Sequence, residues 1–250
     1  MKDRIVLITG GASGIGKGMV KGFCKKGCQV VIFDVQDEKG YALVKEMEEQ
    51  GYRCAYHHVD LFNDQDIKDS FQWIVDQYGR LDYAMNNAGF GIPMKPLAEA
   101  TSEEVRKVIG ICEIAVINCM IEEIKIMKKA QFGRIVNTTS GAGLTGVFGN
   151  AVYSAAKHGV VGVTKSAALD YVKDHITVNA VAPGSTETEL VASLKEIAPD
   201  AYKQAEEANP IGKLCQPEDI ANAAIFLCED TSAMINGVVI PVDSGFAAGH

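Results

Sequence analysis

Tyr153 and Lys157 are the residues whose types and spacing best suit acid–base work. They lie four apart in a helical-looking stretch, so they project from one helix face. A phenol titrates near pH ~10 in water and is a poor base at neutral pH. A cationic neighbour stabilises the phenolate and lowers that value. The pair alone is common by chance and more often marks an amphipathic surface. A second constellation lies near the N-terminus, where Thr9-Gly10-Gly11-Ala12-Ser13-Gly14-Ile15-Gly16 joins a strand-like run to a helical one. Glycines let the backbone turn sharply and approach a ligand with no Cβ in the way. A helix start offers free N–H groups and partial positive charge to a pyrophosphate. The strand–turn–helix context lifts this glycine pattern above chance as a dinucleotide site. Asp34 ends the next strand-like run, 18 positions beyond Gly16. That is near the ~20 expected for the acid that binds the adenosine ribose hydroxyls. Its carboxylate would repel a 2′-phosphate, and neither Ser13 nor Val35 is basic, so NAD is expected over NADP.

The elements that must position these groups are legible as alternation. Ile5–Thr9, Val30–Asp34, Ala55–Val59, Tyr83–Asn86, Arg134–Thr138, Thr177–Val181 and Val238–Val242 read as strands. Gly14–Lys26, Glu38–Gln50, Asp64–Gln77, Ser102–Lys129, Val152–Lys173 and Pro217–Cys228 read as helices. Strands alternating with helices predict an α/β fold: one doubly wound, Rossmann-like parallel sheet of about seven strands, with helices on both faces. No linker or internal repeat interrupts residues 1–250, which read as a single dinucleotide-binding and catalytic domain. Two stretches depart from the alternation. Residues 185–211 have little strand character, and Leu190, Leu194, Ile197 and Tyr202 recur at roughly helical spacing, which suggests a substrate lid. Ile111–Met127 is apolar around most of a helix circumference and must be covered on several sides. A second subunit is the expected cover, giving a dimer or tetramer.

Composition narrows the function classes. The 250 residues are 47% hydrophobic and carry a net charge of −8. Disorder is excluded, and an acidic body gives no support for nucleic acid or anionic membranes as partners. No apolar run approaches the ~20 residues of a membrane helix. No leader-like segment precedes Ile5, and the 7 cysteines form no paired or metal-ligating framework, so a reduced, cytoplasmic protein without a metal is expected.

With these motifs in order, the chain resembles the short-chain dehydrogenase/reductase family over its whole length. Gly10, Gly14 and Gly16 look like its coenzyme loop, with Ser13 and Ile15 between them. Val59-Asp60-Leu61 resembles its adenine-contacting segment, and Asn86-Asn87-Ala88-Gly89 its motif after strand four. Ser140 followed by Tyr153-Ser154-Ala155-Ala156-Lys157 is similar to its active site. Pro183-Gly184 with Thr186 and Thr188 resembles its nicotinamide-holding segment. The resemblance implies that Tyr153 exchanges the substrate hydroxyl proton, that Ser140 orients the substrate oxygen, and that Lys157 holds the ribose and acidifies the phenol. Coenzyme contacts are implied for Gly10, Ser13, Gly14, Ile15, Gly16, Asp34, Val35, Asp60, Leu61, Asn87, Gly89, Tyr153, Lys157, Pro183, Gly184, Thr186 and Thr188.

One position departs from that pattern. The family places an asparagine about 28 positions before the serine, where this chain has Ile111-Cys112-Glu113. Either the helix register differs here, or the water-holding role passes to another group, with Glu113 a candidate, or it is impaired. Apolar residues at Phe90–Met94, Gly141–Gly143, Phe148 and in 185–211 suit an apolar or steroid-like secondary alcohol or ketone. The expected activity is an NAD-dependent alcohol dehydrogenase or ketone reductase. Its alternatives are an NADPH-dependent carbonyl or 3-oxoacyl-thioester reductase, or a catalytically silent dinucleotide-binding protein.

Overall fold

A computed structural model describes residues 1–249. In chain order the elements are β1 (Ile5–Thr9), α1 (Gly14–Lys25), β2 (Gln29–Asp34), α2 (Asp37–Glu49), β3 (Arg53–His58), α3 (Asp64–Tyr78) and β4 (Tyr83–Asn86). There follow α4 (Ser102–Ile109), α5 (Ala115–Ala130), β5 (Gly133–Thr138), α6 (Ala151–Asp170) and β6 (Ile176–Pro183). The chain then runs through α7 (Glu189–Ile197), α8 (Pro199–Glu207), α9 (Pro217–Cys228) and β7 (Val239–Val242). The strands form one parallel sheet in the order 3-2-1-4-5-6-7.

Alternation within each strand sorts side chains between the two faces. Leu7, Val31 and Phe33 pack with residues of α3, α5 and α6. Val6, Ile8, Val30 and Ile32 pack with residues of α1, α2 and α9. Full burial of each such side chain is worth roughly 1.5–3 kcal/mol, so the two-sided core explains why the central strands read as unbroken apolar runs. The chain leaves β1 toward β2 and β3, then returns to place β4 on the other side of β1. The carboxyl ends of β1 and β4 therefore diverge at a crevice, the usual ligand position in such sheets.

The expected single helix over 102–129 is instead three pieces. A capping box starts α4: Thr101 accepts the Glu104 N–H at 3.2 Å, and Glu104 accepts the Thr101 N–H at 2.8 Å. Gly110–Ile114 then forms a π-turn before α5 begins. The extra residue rotates the following helix, and such bulges cluster at functional sites. The sheet together with the flanking helices covers most of the apolar circumference: Cys112, Ala115, Val116, Cys119, Met120 and Met127 are all buried, while Ile114 and Ile121 stay exposed.

Residues 185–211 contain α7 and α8, neither with a buried residue. Their base is pinned by Asn209, itself 2% exposed. Its Oδ1 accepts the Ser185 N–H at 3.0 Å, and its Nδ2 donates to the Ser185 and Lys213 carbonyls, both at 2.8 Å. A short bridge pairs Thr186 with Cys215 across the same neck. Among the described residues, no helix is long and apolar enough to cross a membrane.

Candidate active site

The coenzyme loop is built by close backbone approach. Gly10 and Gly14 have φ of +63° and +52°, conformations that favour glycine. A Cβ at Gly10 would lie 2.8 Å from the Ala88 Cα, and one at Gly16 would collide with the Gly10 carbonyl. Asn87 fixes the facing strand end: its Nδ2 donates to the Thr9 and Gly10 carbonyls at 3.2 and 3.3 Å. The Thr9 hydroxyl accepts the Asn87 and Ala88 N–H groups at 3.0 and 3.1 Å. Asp34 is buried, and its two oxygens accept the backbone N–H groups of Ala12 and Gln36, both at 3.0 Å. It thereby ties the loop to the end of β2.

The catalytic candidates sit at the opposite end of the crevice. Lys157 is buried, its Nζ donates to the Thr138 carbonyl at 2.8 Å, and it lies 5.6 Å from the centre of the Tyr153 ring. The Lys157 carbonyl accepts the Thr139 hydroxyl at 2.8 Å, so α6 is fastened twice to the end of β5. Ser140 Oγ accepts the Ala142 N–H at 3.2 Å and also hydrogen-bonds the Tyr153 phenol. Burial holds that phenol well above its ordinary range; Cys112 adds to this, and the Ser140 bond opposes it. Burial pushes the Lys157 ammonium down. Burial thus dominates the phenol in the protein alone, whereas the expected acidifying field combines Lys157 with the positive charge of an oxidised nicotinamide.

These residues meet on one cavity of about 880 Å³, within the size range of small-molecule sites. Every predicted coenzyme or catalytic residue lines it except Gly16, which stands behind the loop it packs against. Phe90 and Gly91 line it, as do Thr186, Thr188, Leu190 and Val191 of the 185–211 segment. The other expected pocket walls do not. Ile92 lines a separate recess, Gly141–Gly143 are buried, and Phe148 points to solvent at 89% exposure. Gln36, Lys39 and Glu189, which also line the cavity, were not anticipated.

Cys112 occupies the departing position. Its Sγ is buried and donates to the Phe90 carbonyl at 3.3 Å. A Cβ at Gly89 would sit 3.2 Å from that sulfur and 3.7 Å from Lys157 Nζ, so glycine keeps this corner open. Glu113 is turned away: it packs where a Cβ at Gly159 would stand and lines no part of the cavity. It is therefore not placed to replace the asparagine.

A family model described as enoyl-(acyl carrier protein) reductase matches residues 10–247. The chain belongs to the short-chain dehydrogenase/reductase family. This family member is 36% identical over 247 residues to an A-factor type gamma-butyrolactone 1'-reductase (1S-forming) from Streptomyces virginiae, covering 98% of this chain and 96% of the relative. It is 35% identical over 246 residues to a cyclohexanol dehydrogenase from Acinetobacter sp. (strain SE19), covering 98% and 96%. Its fold matches the crystal structure of a variant of actinorhodin polyketide ketoreductase with NADPH, at a TM-score of 0.93 and 30% identity over 99% of both chains. As a short-chain dehydrogenase/reductase it is an oxidoreductase whose fold takes a nicotinamide dinucleotide. The residues present fit that group: the glycine cradle excludes any Cβ, and a carboxylate oxygen of Glu189 already stands 2.7 Å from the Gly14 N–H, as a phosphate oxygen would.

Proposed function

We propose that this protein is an NAD-dependent dehydrogenase of apolar, compact secondary alcohols, also able to reduce the matching ketones. The bound nicotinamide supplies the hydride chemistry. The chain's own residues do the rest. Ser140 Oγ holds the substrate oxygen beside the Tyr153 hydroxyl. Tyr153 takes the alcohol proton during oxidation and returns it during reduction. Lys157, anchored on the Thr138 carbonyl, presents its remaining N–H groups to the cavity, where the coenzyme ribose would lie. Phe90, Leu190 and Val191 supply the apolar wall that favours a hydrophobic substrate.

The observation that carries the reading is the meeting of Ser140, Tyr153 and Lys157 with Asp34 and the glycine cradle on one cavity. NAD is supported by Asp34, whose carboxylate would repel a 2′-phosphate. An NADPH-dependent ketoreductase is the second reading, favoured by one observation: Lys39 lines the same end of the cavity, its Nζ held by Gln36 Oε1 at 2.8 Å. The test is absorbance at 340 nm with NAD and with NADP over a panel of cyclic and linear secondary alcohols, for the wild type and Tyr153→Phe. NAD-dependent turnover that Tyr153→Phe abolishes supports the proposal. Equal rates for both proteins would overturn it.

A further inference from the structure

Glu189, the first residue of α7, reaches from the lid to the coenzyme loop. Its Oε2 accepts the backbone N–H of Gly14 at 2.7 Å, across 175 positions of sequence. Gly14 is the first residue of α1. The N-cap residue of α1, Ser13, makes no capping bond with its side chain, and its first turn contains no acid. A carboxylate carried by the lid therefore meets the N–H and the positive end of this helix. Lys17 Nζ stands 3.9 Å from the other oxygen of Glu189. The neighbouring acid Glu187 is engaged elsewhere, with Lys195, Gln216 and Tyr202.

We infer that Glu189 is an internal stand-in for a coenzyme phosphate, a latch that joins lid to loop and sets coenzyme affinity by competing for the Gly14 N–H. The inference rests on the dinucleotide reading of the cavity. An anionic oxygen at 2.7 Å occupies the N–H that a phosphate oxygen would use, and two anions at one helix start repel. The Glu189 side chain is 53% exposed, so it can swing into solvent without uncovering a core. Coenzyme arrival passes the Gly14 N–H from carboxylate to phosphate and frees the first turn of α7. By linkage, whatever releases the lid must tighten coenzyme binding by the same factor.

The test titrates NAD and, separately, adenosine into the wild type, Glu189→Gln and Glu196→Gln by calorimetry. Glu196 is exposed on the same helix and controls for the loss of one negative charge. Expected is an NAD affinity about fivefold tighter in Glu189→Gln, the scale of one charge at a helix start. Adenosine, which has no phosphate, should bind all three alike. Trypsin should also cut at Lys195 faster in Glu189→Gln than in the wild type when no coenzyme is present. NAD binding in Glu189→Gln no tighter than in Glu196→Gln, or unchanged cleavage at Lys195, overturns the latch and leaves the dinucleotide reading standing. A wild type that binds neither NAD, NADP nor adenosine fells that reading and the latch with it.

Discussion

Lys157 Nζ donates its 2.8 Å hydrogen bond to the Thr138 carbonyl, at the end of β5. The ammonium is held by the sheet while lying 5.6 Å from the centre of the Tyr153 ring. One bond thus fixes the position of a charge that both the coenzyme ribose and the phenol would feel. Lys157→Met should remove that charge at similar length, weakening NAD binding and lowering turnover by about 10²-fold or more. Calorimetric titration and initial rates read the two effects separately.

Burial raises the Tyr153 phenol. Because alcohol oxidation uses the phenolate, its rate should climb with pH, close to tenfold per unit on the acid side of the phenol's value. Ketone reduction uses the phenol and should fall where oxidation levels off. Tyr153→Phe should lose about 10²–10⁴-fold in turnover and the pH dependence with it, while still binding coenzyme. A profile of kcat/KM against pH in both directions checks this.

Asp34 braces two backbone N–H groups as well as facing the cavity. Asp34→Asn should narrow the preference for NAD over NADP by about tenfold or more, an effect of about 1.4 kcal/mol or more. Lys39→Ala should weaken NADP and leave NAD nearly untouched. KM for each coenzyme in the three proteins decides it.

Glu123 is fully buried on α5, with Oε1 unpartnered and Oε2 accepting from Asn86 Nδ2 at 3.1 Å. Burial pushes its carboxyl up to about 8. The folded value exceeds the ordinary 4.5, so folding favours the protonated acid. Its contribution is intact below pH 4.5 and is lost as pH rises through about 8. Glu123→Gln should leave stability near pH ~4.5 little changed and raise it by about 4 kcal/mol near pH ~8. Urea unfolding at the two pH values measures the difference.

The Asn209 side chain makes four hydrogen bonds at the neck of the 185–211 segment, the fourth to the Cys215 sulfur at 3.7 Å. Asn209→Ala should cost about 1–3 kcal/mol by leaving the Ser185 backbone unpaired. KM for the alcohol should rise more than KM for NAD, because α7 and α8 hang from that neck and β1 does not.

Most strands were legible because β-branched runs buried on both faces leave a strong mark. Ile5–Thr9 and Tyr83–Asn86 fall on β1 and β4 as read. Most cavity residues that motifs name were legible because their motifs end strands on the same side of the sheet, while Tyr153 and Lys157 stand out by their spacing on α6. The π-turn was not, since one inserted residue leaves Ile111–Met127 apolar around most of the helix circumference. Nothing in the sequence set Glu123 apart from its neighbour Glu122. Its burial follows from helix phase, for Cys119, Met120 and Met127 are its neighbours at three- and four-residue steps. Glu189, Gln36 and Lys39 carry no local pattern: their place in the cavity exists only once distant elements meet. Burial of the Tyr153 phenol was not legible either, since it depends on the walls that distant elements build around the ring.

The narrow neck at Asn209 makes the 185–211 segment separable from the rest of the molecule. Its two helices bury no residue, so beyond Thr186, Thr188 and Glu189, which face the coenzyme loop or cavity, their length and composition can drift without disturbing the core. Exchanging this excursion alone is a route to new substrate repertoires on an unchanged chassis.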